Sequence, residues 1–100
     1  MGPNVRTDVT SRMESARGTF ADCYHAALER DRKLRGQIVV TFVAAPSTGK
    51  FEQVDIVRDD LRDQAMVKCI VDAVAALSLQ EPQKTSVSVT AYPLDFAPTK

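Results

Sequence analysis

The sequence predicts an α+β fold in which two helices pack on one face of a three-stranded antiparallel sheet. The most apolar run of the chain, residues 36–45, is rich in β-branched residues and is typical of a central strand. Apolar residues with helical spacing precede this run and recur near residue 70. A turn cluster at Pro46–Gly49 separates the run from a second alternating segment. The expected element order is therefore helix, strand, strand, helix, strand.

Length and charge limit the function classes. One hundred residues form a single domain, and we expect residues 1–6 to be a junction or linker and residues 7–98 to be the folded domain. Thirteen basic and thirteen acidic residues give no net charge, so the chain as a whole attracts neither nucleic acid nor an anionic membrane. The longest apolar run is about ten residues, which is too short for a transmembrane helix.

The first helix is predicted from an apolar stripe that recurs every three or four residues. Its members are Val9, Met13, Ala16, Phe20, Cys23 and Ala27. Candidate N-cap residues place the helix start within residues 7–11, where Ser11 and Glu14 have the capping-box spacing. Gly18 lies inside this helix at a cost of up to about 1 kcal/mol relative to alanine, which indicates either close packing or a bend there.

The first two strands are predicted to form an antiparallel hairpin. In the first strand we expect the even-numbered side chains to face the core and the odd-numbered ones to face the other way. The core-facing set is Ile38, Val40, Phe42 and Ala44, and the opposite set is Gln37, Val39, Thr41 and Val43. The second strand, Phe51–Val57, alternates with Val54 and Ile56 facing inward.

The second helix and the third strand complete the sheet. Asp59, Asp60 and Asp63 are expected to supply the cap and first-turn acids of the helix, whose apolar set is Met66, Val67, Ile70, Val74 and Leu77. Val87, Val89 and Ala91 are expected on one face of the third strand. A right-handed crossover places this strand beside the first one, so the sheet order is 2-1-3. Both helices then share one sheet face, and the other face stays open.

Three polar groups of residues resemble functional motifs, but each has a simpler explanation. In Ala44–Phe51, Ala44 replaces the first glycine of a phosphate-binding loop and Phe51 replaces its magnesium-binding hydroxyl residue, so we expect a hairpin turn. Cys23 and His25 point in different directions on a helix, and one His with two Cys offers too few metal ligands. The basic residues Arg30, Arg32, Lys33 and Arg35 are expected to form a solvated helix end. We therefore expect no catalytic residue, metal or cofactor.

The two cysteines lie on the apolar faces of the two helices. If the helices pack side by side, the sulfurs of Cys23 and Cys69 can meet. The alternative is two buried free thiols that act as small hydrophobic groups. A disulfide that closes this loop would contribute about 4 kcal/mol in the chain-entropy model.

Several residues along the chain together suggest a family. They are Cys23-Tyr24, Ala27-Leu28, Leu34, Gly36, Gly49, Cys69-Ile70, Tyr92-Pro93 and Phe96. In these residues the chain, from about Val9 to Pro98, resembles the AgmX/PglI C-terminal domain family of myxobacterial and related envelope proteins, which includes gliding-motility components. That family is similar in turn to the C-terminal domains of TonB and TolA, which have two helices on a three-stranded antiparallel sheet.

The resemblance implies a periplasmic, non-enzymatic protein–protein interaction module of an envelope-spanning machine whose parent protein is membrane-anchored. The oxidising periplasm favours a disulfide between Cys23 and Cys69. The leading function is a TonB-like adaptor that binds an extended segment of an envelope protein. The alternative is a structural domain that packs on a neighbour or self-associates, for example as a homodimer, through the open sheet face. A nucleic-acid module is third because the net charge is zero, and an enzyme is last.

The sheet order predicts where the partner binds. The second strand carries Lys50, Glu52 and Asp55, which discourage pairing at its edge, whereas Ser86–Thr90 is uncharged and regular. The resemblance agrees, because TonB-like domains take up an extended segment at their final strand. We therefore expect the partner to be added as a strand, with Ser88 and Val89 donating outward and Pro93 ending the pairing. The residues of this edge are Thr85, Ser86, Val87, Ser88, Val89, Thr90 and Ala91.

Overall fold

The computed structural model describes residues 3–97, with side chains from residue 5 onward. The elements are α1 (Pro3–Ser15), α2 (Arg17–Arg30), β1 (Gly36–Ala44), β2 (Phe51–Asp59), α3 (Gln64–Ala75) and β3 (Val87–Phe96). The three strands form one antiparallel sheet in the order β2-β1-β3. The predicted fold class and strand order are confirmed, but the single N-terminal helix of the prediction is two helices.

The N-terminal helical segment begins earlier than predicted and is broken at Ala16. α1 begins at Pro3, so the predicted start within residues 7–11 is wrong. Proline suits the first helical position because its missing N–H would have no partner there, and Val5, at 4% exposure, extends the buried stripe by one turn. The Ala16 N–H bonds to the carbonyl only three residues earlier, at 3.1 Å, which ends α1. Gly18 has open space around it, so close packing does not explain this glycine.

β1 lies at the centre of the core, as its apolar sequence predicts. Its even-numbered side chains from Ile38 to Ala44 are at most 1% exposed, whereas the odd-numbered ones are half-buried. Phe42 stacks on Phe51 of β2 with ring centroids 4.6 Å apart. The helices cover this face with Val5, Val9, Met13, Phe20, Cys23, Tyr24, Ala27, Met66, Ile70 and Val74. The predicted division of β1 into two faces is confirmed.

β2 is irregular along its pairing with β1. At Gln53, β2 has one residue more than β1, and the φ angle of this residue is 53°. A bulge of this kind bends a strand and resets its alternation. Phe51 and Val54 therefore both face the core, although they are three residues apart. A second register shift near Val57 leaves that side chain 59% exposed.

The start of α3 uses one of the three acids predicted for it. The Asp63 carboxylate accepts the Met66 N–H at 2.9 Å and caps the helix. Asp59 instead accepts the N–H groups of two residues in the turn before α3, and Asp60 accepts the Gln37 N–H. The expectation of first-turn acids at the other two positions is wrong, because that turn and β1 use these carboxylates.

The connection from α3 to β3 is fastened to the hairpin turn and to α1. The Leu79 N–H donates to the carbonyl of Gly49, at 2.9 Å, in the hairpin turn that the sequence predicts. The Asp8 carboxylate of α1 accepts the backbone N–H groups of Gln80 and Glu81 at 3.1 and 2.9 Å. These bonds hold the first turns of α1 against the connection that leads into β3.

Candidate functional site

The hydrogen bonding of the β1 backbone determines which backbone N–H and carbonyl groups of β3 face away from the sheet. The Gln37 N–H donates to the Asp60 carboxylate, and the Gln37 carbonyl accepts the Asp60 N–H, both at 3.0 Å on the β2 side. The Ala45 N–H likewise donates to the Lys50 carbonyl at 2.8 Å. Successive residues of a strand direct their backbone groups to alternate edges. The odd-numbered residues of β1 therefore bind β2, and the even-numbered ones bind β3.

This alternation identifies the outward-facing groups in the first half of β3. Phe42 and Ala44 pair with Val89 and Val87, so the backbone groups of these two valines face β1. The N–H and carbonyl of Ser88 face away from the sheet, and its side chain is exposed. The prediction that Val89 donates outward is wrong, because its backbone belongs to the β1 pairing. Ser88 has the predicted orientation.

β3 begins and ends later in the chain than the predicted partner-binding segment, residues 85–91. Thr85 and Ser86 lie before β3, which begins at Val87 and continues past Ala91 to Phe96. Only the second part of the predicted partner-binding segment is therefore in the strand. Binding at these residues stays a prediction.

A bulge divides the β3 edge into two stretches. β3 has one residue more than β1 at Thr90–Ala91, so Ala91 is exposed and Tyr92 takes the inward position expected of Ala91. Pro93, opposite Val39, lies inside the strand. Its missing N–H is on the outward side, so no bond to β1 is lost. At Ser88 a partner strand would thus find both a backbone N–H donor and a carbonyl acceptor. At Pro93 it would find only the carbonyl.

The outer edge of β2 is less suited to a partner strand. It contains two register shifts, whereas β3 has one. Its charged residues are Glu52, Asp55, Arg58 and Asp59, whereas β3 has Asp95 alone. The connection after α3 also occupies the start of β2, where the Phe51 N–H donates to the Leu77 carbonyl at 3.0 Å. Charges and bulges both discourage strand addition, so β3 is the more accessible edge.

A groove follows the helical side of β3, next to its exposed edge. One half lies between α1 and residues 87–92, and its helical wall contains Val5, Arg6, Val9 and Thr10. The other half lies between α2 and residues 92–97, and its aromatic lining contains Phe20, Tyr24, Tyr92 and Phe96. Side chains of an added strand that point toward the helices would enter this groove, because strand side chains alternate between the two sheet faces.

Two tyrosines line the groove in their neutral form. Burial raises the pKa of the Tyr92 phenol, and the nearby carboxylate of Glu14 raises it further. Burial also raises the pKa of Tyr24, whose hydroxyl donates to the Leu34 carbonyl and whose ring centroid lies 5.2 Å from that of Phe96. Both side chains therefore keep their hydroxyl proton at neutral pH.

A disulfide joins α2 to α3, and these two helices form the helical layer together with α1. Cys23 of α2 and Cys69 of α3 are bonded, with their Cα atoms 5.8 Å apart. The expected disulfide is present, and the alternative of two free thiols is wrong. Structural disulfides are typical of proteins from oxidising compartments. Within residues 3–97, no helix is both long and apolar enough to cross a membrane.

The other polar groups considered in the sequence do not form a site. Over the described part of the chain, no three His, Cys, Asp or Glu side chains are close enough together to hold a metal ion. His25 is exposed at the rim of the groove. Arg30, expected in a solvated helix end, instead binds Asp63 of α3 at 2.9 Å.

No family model, curated protein or solved structure matches the chain. The resemblance to the AgmX/PglI C-terminal domain family stays a prediction. The candidate site therefore depends on the geometry of the β3 edge and its groove.

The contribution of α1 to this site was not predicted from the sequence. Residues 1–6 were expected to be a junction or linker, yet Val5 is buried and Arg6 lines the groove. The signal is present in the sequence, because Val5 stands four residues before Val9 and continues the apolar stripe.

Proposed function

We propose that this domain is a non-enzymatic interaction module that binds an extended segment of a partner protein as a further strand on β3. The observation that carries the proposal is the outward-facing backbone of Ser88 on an exposed, nearly uncharged edge with a groove beside it. In strand addition, main-chain hydrogen bonds supply affinity, and pockets for alternate side chains supply specificity.

The cellular setting is the second part of the proposal. The Cys23–Cys69 disulfide supports an oxidising compartment, and the resemblance to the AgmX/PglI C-terminal domain family supports the periplasm. The partner is then an envelope protein with an extended segment, and the parent of this domain is a membrane-anchored component of an envelope-spanning machine, such as one for gliding motility.

The open face of the sheet is less suited to bind the partner than the edge. The Gln37 side-chain amide donates to Asp95 at 2.9 Å, and the Thr41 hydroxyl donates to the Val89 carbonyl at 2.9 Å. These two polar side chains of the open face thus already have partners within the domain, whereas no other strand among residues 3–97 lies beside the outward backbone groups of Ser88.

The proposal is tested by titrating isotope-labelled protein with extended peptides from candidate envelope proteins and following amide shifts by NMR. We expect the largest shifts at Ser88 and its neighbours. Ser88→Pro should abolish binding without changing the thermal unfolding midpoint, because the lost N–H points away from β1. Val89→Pro is the matched control, and it should unfold the domain because its N–H faces β1.

The peptide offers a second control. N-methylation of the peptide residues that face β3 should abolish binding, whereas N-methylation of the alternate residues should not. Shifts centred on Gln37, Val39 and Thr41 would replace strand addition with binding or self-association through the open face. If no envelope peptide shifts any β3 amide, the proposed function is wrong.

A further inference from the structure

The first turns of α1 form one wall of the groove beside Val87–Ala91. Val5 and Val9 form the apolar part of this wall, at 4% and 6% exposure. Arg6 and Thr10 lie one helical turn apart and are exposed at the rim. A side chain that enters from the β3 edge would therefore pass the Arg6 guanidinium at the rim and meet the valine side chains at the bottom of the groove.

Arg6 gives this half of the groove a positive charge. It is the charged member of the described lining, and it takes part in none of the ion pairs among the described residues. The nearest acid along α1, Asp8, is already bonded to the backbone N–H groups of Gln80 and Glu81. The charge of Arg6 is thus available to a partner.

The lining of the other half of the groove contains two acids and one arginine. Glu14 and Arg17 lie 3.4 Å apart there, both largely exposed, and Asp95 lies at the end of β3. The positive charge of the groove that is not in an ion pair is therefore that of Arg6, in the half beside residues 87–92.

We infer that the partner segment carries an acidic side chain and an apolar side chain at successive helix-facing positions, and that α1 recognises them through Arg6 and through Val5 and Val9. This inference rests on the proposed strand addition at β3. Helix-facing residues of an added strand are two positions apart, or about 7 Å. The pattern sought in a partner is therefore an acid and an aliphatic residue separated by one residue of any type.

The test uses three series of synthetic peptides with one alternating Thr/Val sequence, in which Glu, Gln or Lys is placed in turn at each position of one face. Binding is measured by fluorescence anisotropy, and the Ser88 amide shift confirms the site. We expect the Glu peptide to bind about two- to fivefold more tightly than the Gln peptide, and the Lys peptide to bind more weakly by a similar factor, as for partly exposed ion pairs.

The variant Arg6→Gln should remove the difference between the three peptides. Arg32→Gln is the matched control, because Arg32 is exposed after the end of α2 and outside the groove, and it should leave the ranking unchanged. A raised salt concentration should also reduce the differences in affinity between the peptides, since it screens exposed charges.

The outcomes separate the inference from the proposed function. If the peptides shift the Ser88 amide but Glu and Lys peptides bind equally, the inference is wrong and strand addition stands. The inference is also wrong if Arg6→Gln keeps the ranking. If no peptide shifts β3, or if sedimentation shows a dimer that Ser88→Pro abolishes and that peptides do not dissociate, both the inference and the proposed function are wrong.

Discussion

The Arg30 guanidinium makes two hydrogen bonds to the carboxylate of Asp63, at 2.9 and 3.0 Å. The same carboxylate caps α3 by accepting the Met66 N–H. Asp63 thus fastens the end of α2 to the start of α3, while the disulfide joins the same two helices farther along. α2 and α3 are therefore joined by one disulfide and by one ion pair.

Removal of this carboxylate should destabilise the domain. We expect Asp63→Ala to lower the free energy of unfolding by about 1 to 2 kcal/mol, because an N-cap is lost. Urea unfolding measures the loss. The matched control is Asp72→Ala, an exposed acid later in the same helix, which should change stability by less than about 0.5 kcal/mol. Equal effects at the two positions would contradict the capping role.

The same carboxylate should make stability depend on pH. The Arg30 guanidinium and the Met66 N–H lower the pKa of Asp63 in the folded state. Its contribution is therefore complete above the unfolded pKa of about 4 and is lost as pH falls through the folded value. Asp63→Asn should flatten the fall in stability below about pH 4. A residual slope is expected, because Arg58 and the Gln37 N–H lower the pKa of Asp60 in the same way.

The disulfide should supply a large share of the stability. Replacing Cys23 and Cys69 together by alanine should lower the free energy of unfolding by about 4 kcal/mol for a closed loop of this length, and the two residues are 46 positions apart. Chemical denaturation of the double variant and of reduced wild-type protein should agree. Mass spectrometry that finds two free thiols in protein from an oxidising compartment would contradict the bond.

The two faces of β1 should respond differently to truncation. Phe42 is 1% exposed and stacks on Phe51, so Phe42→Ala should cost about 3 to 5 kcal/mol. Val43, half-buried on the other face, is the control, and Val43→Ala should cost much less. Similar losses of unfolding free energy for the two variants in denaturant melts would mean that the face of β1 that contains Phe42 is not the core face.

Two glycines should respond to alanine in opposite directions. A Cβ at Gly36, whose φ is 140°, would lie 2.5 Å from the Cβ of Asp60, so Gly36→Ala should destabilise the domain by about 1 to 3 kcal/mol. Apart from its chain neighbours and the backbone of its own helix, no atom of the described residues would lie within 4 Å of a Cβ at Gly18, so Gly18→Ala should stabilise α2 by about 0.5 to 1 kcal/mol. Thermal unfolding of both variants measures the contrast, and a gain at Gly36 would overturn it.

The parts of the fold that follow from local pattern were predictable from the sequence. The buried set of β1 follows from strict alternation, and the strand order follows from the handedness of the crossover. The bulge at Thr90–Ala91 was not predictable, because it depends on the pairing of β3 with β1 rather than on the residues of β3 alone. The error at Val89 has a related cause, since which edge a residue faces is set by the register with β1. The groove wall at Arg6 was not predictable from the cap residues, because they indicate a helix start within residues 7–11 whereas α1 begins at Pro3.

The position of the disulfide also determines how the domain would carry mechanical tension. A pull that enters through α1 and leaves through a partner bound at Ser88 would pass from Cys23 directly to Cys69 across the sulfur bond. β1 and β2 lie entirely between these two cysteines in the chain, so the covalent loop shields the hairpin from extension. Along the covalent chain, the tension runs through the residues up to Cys23 and then from Cys69 to Ser88.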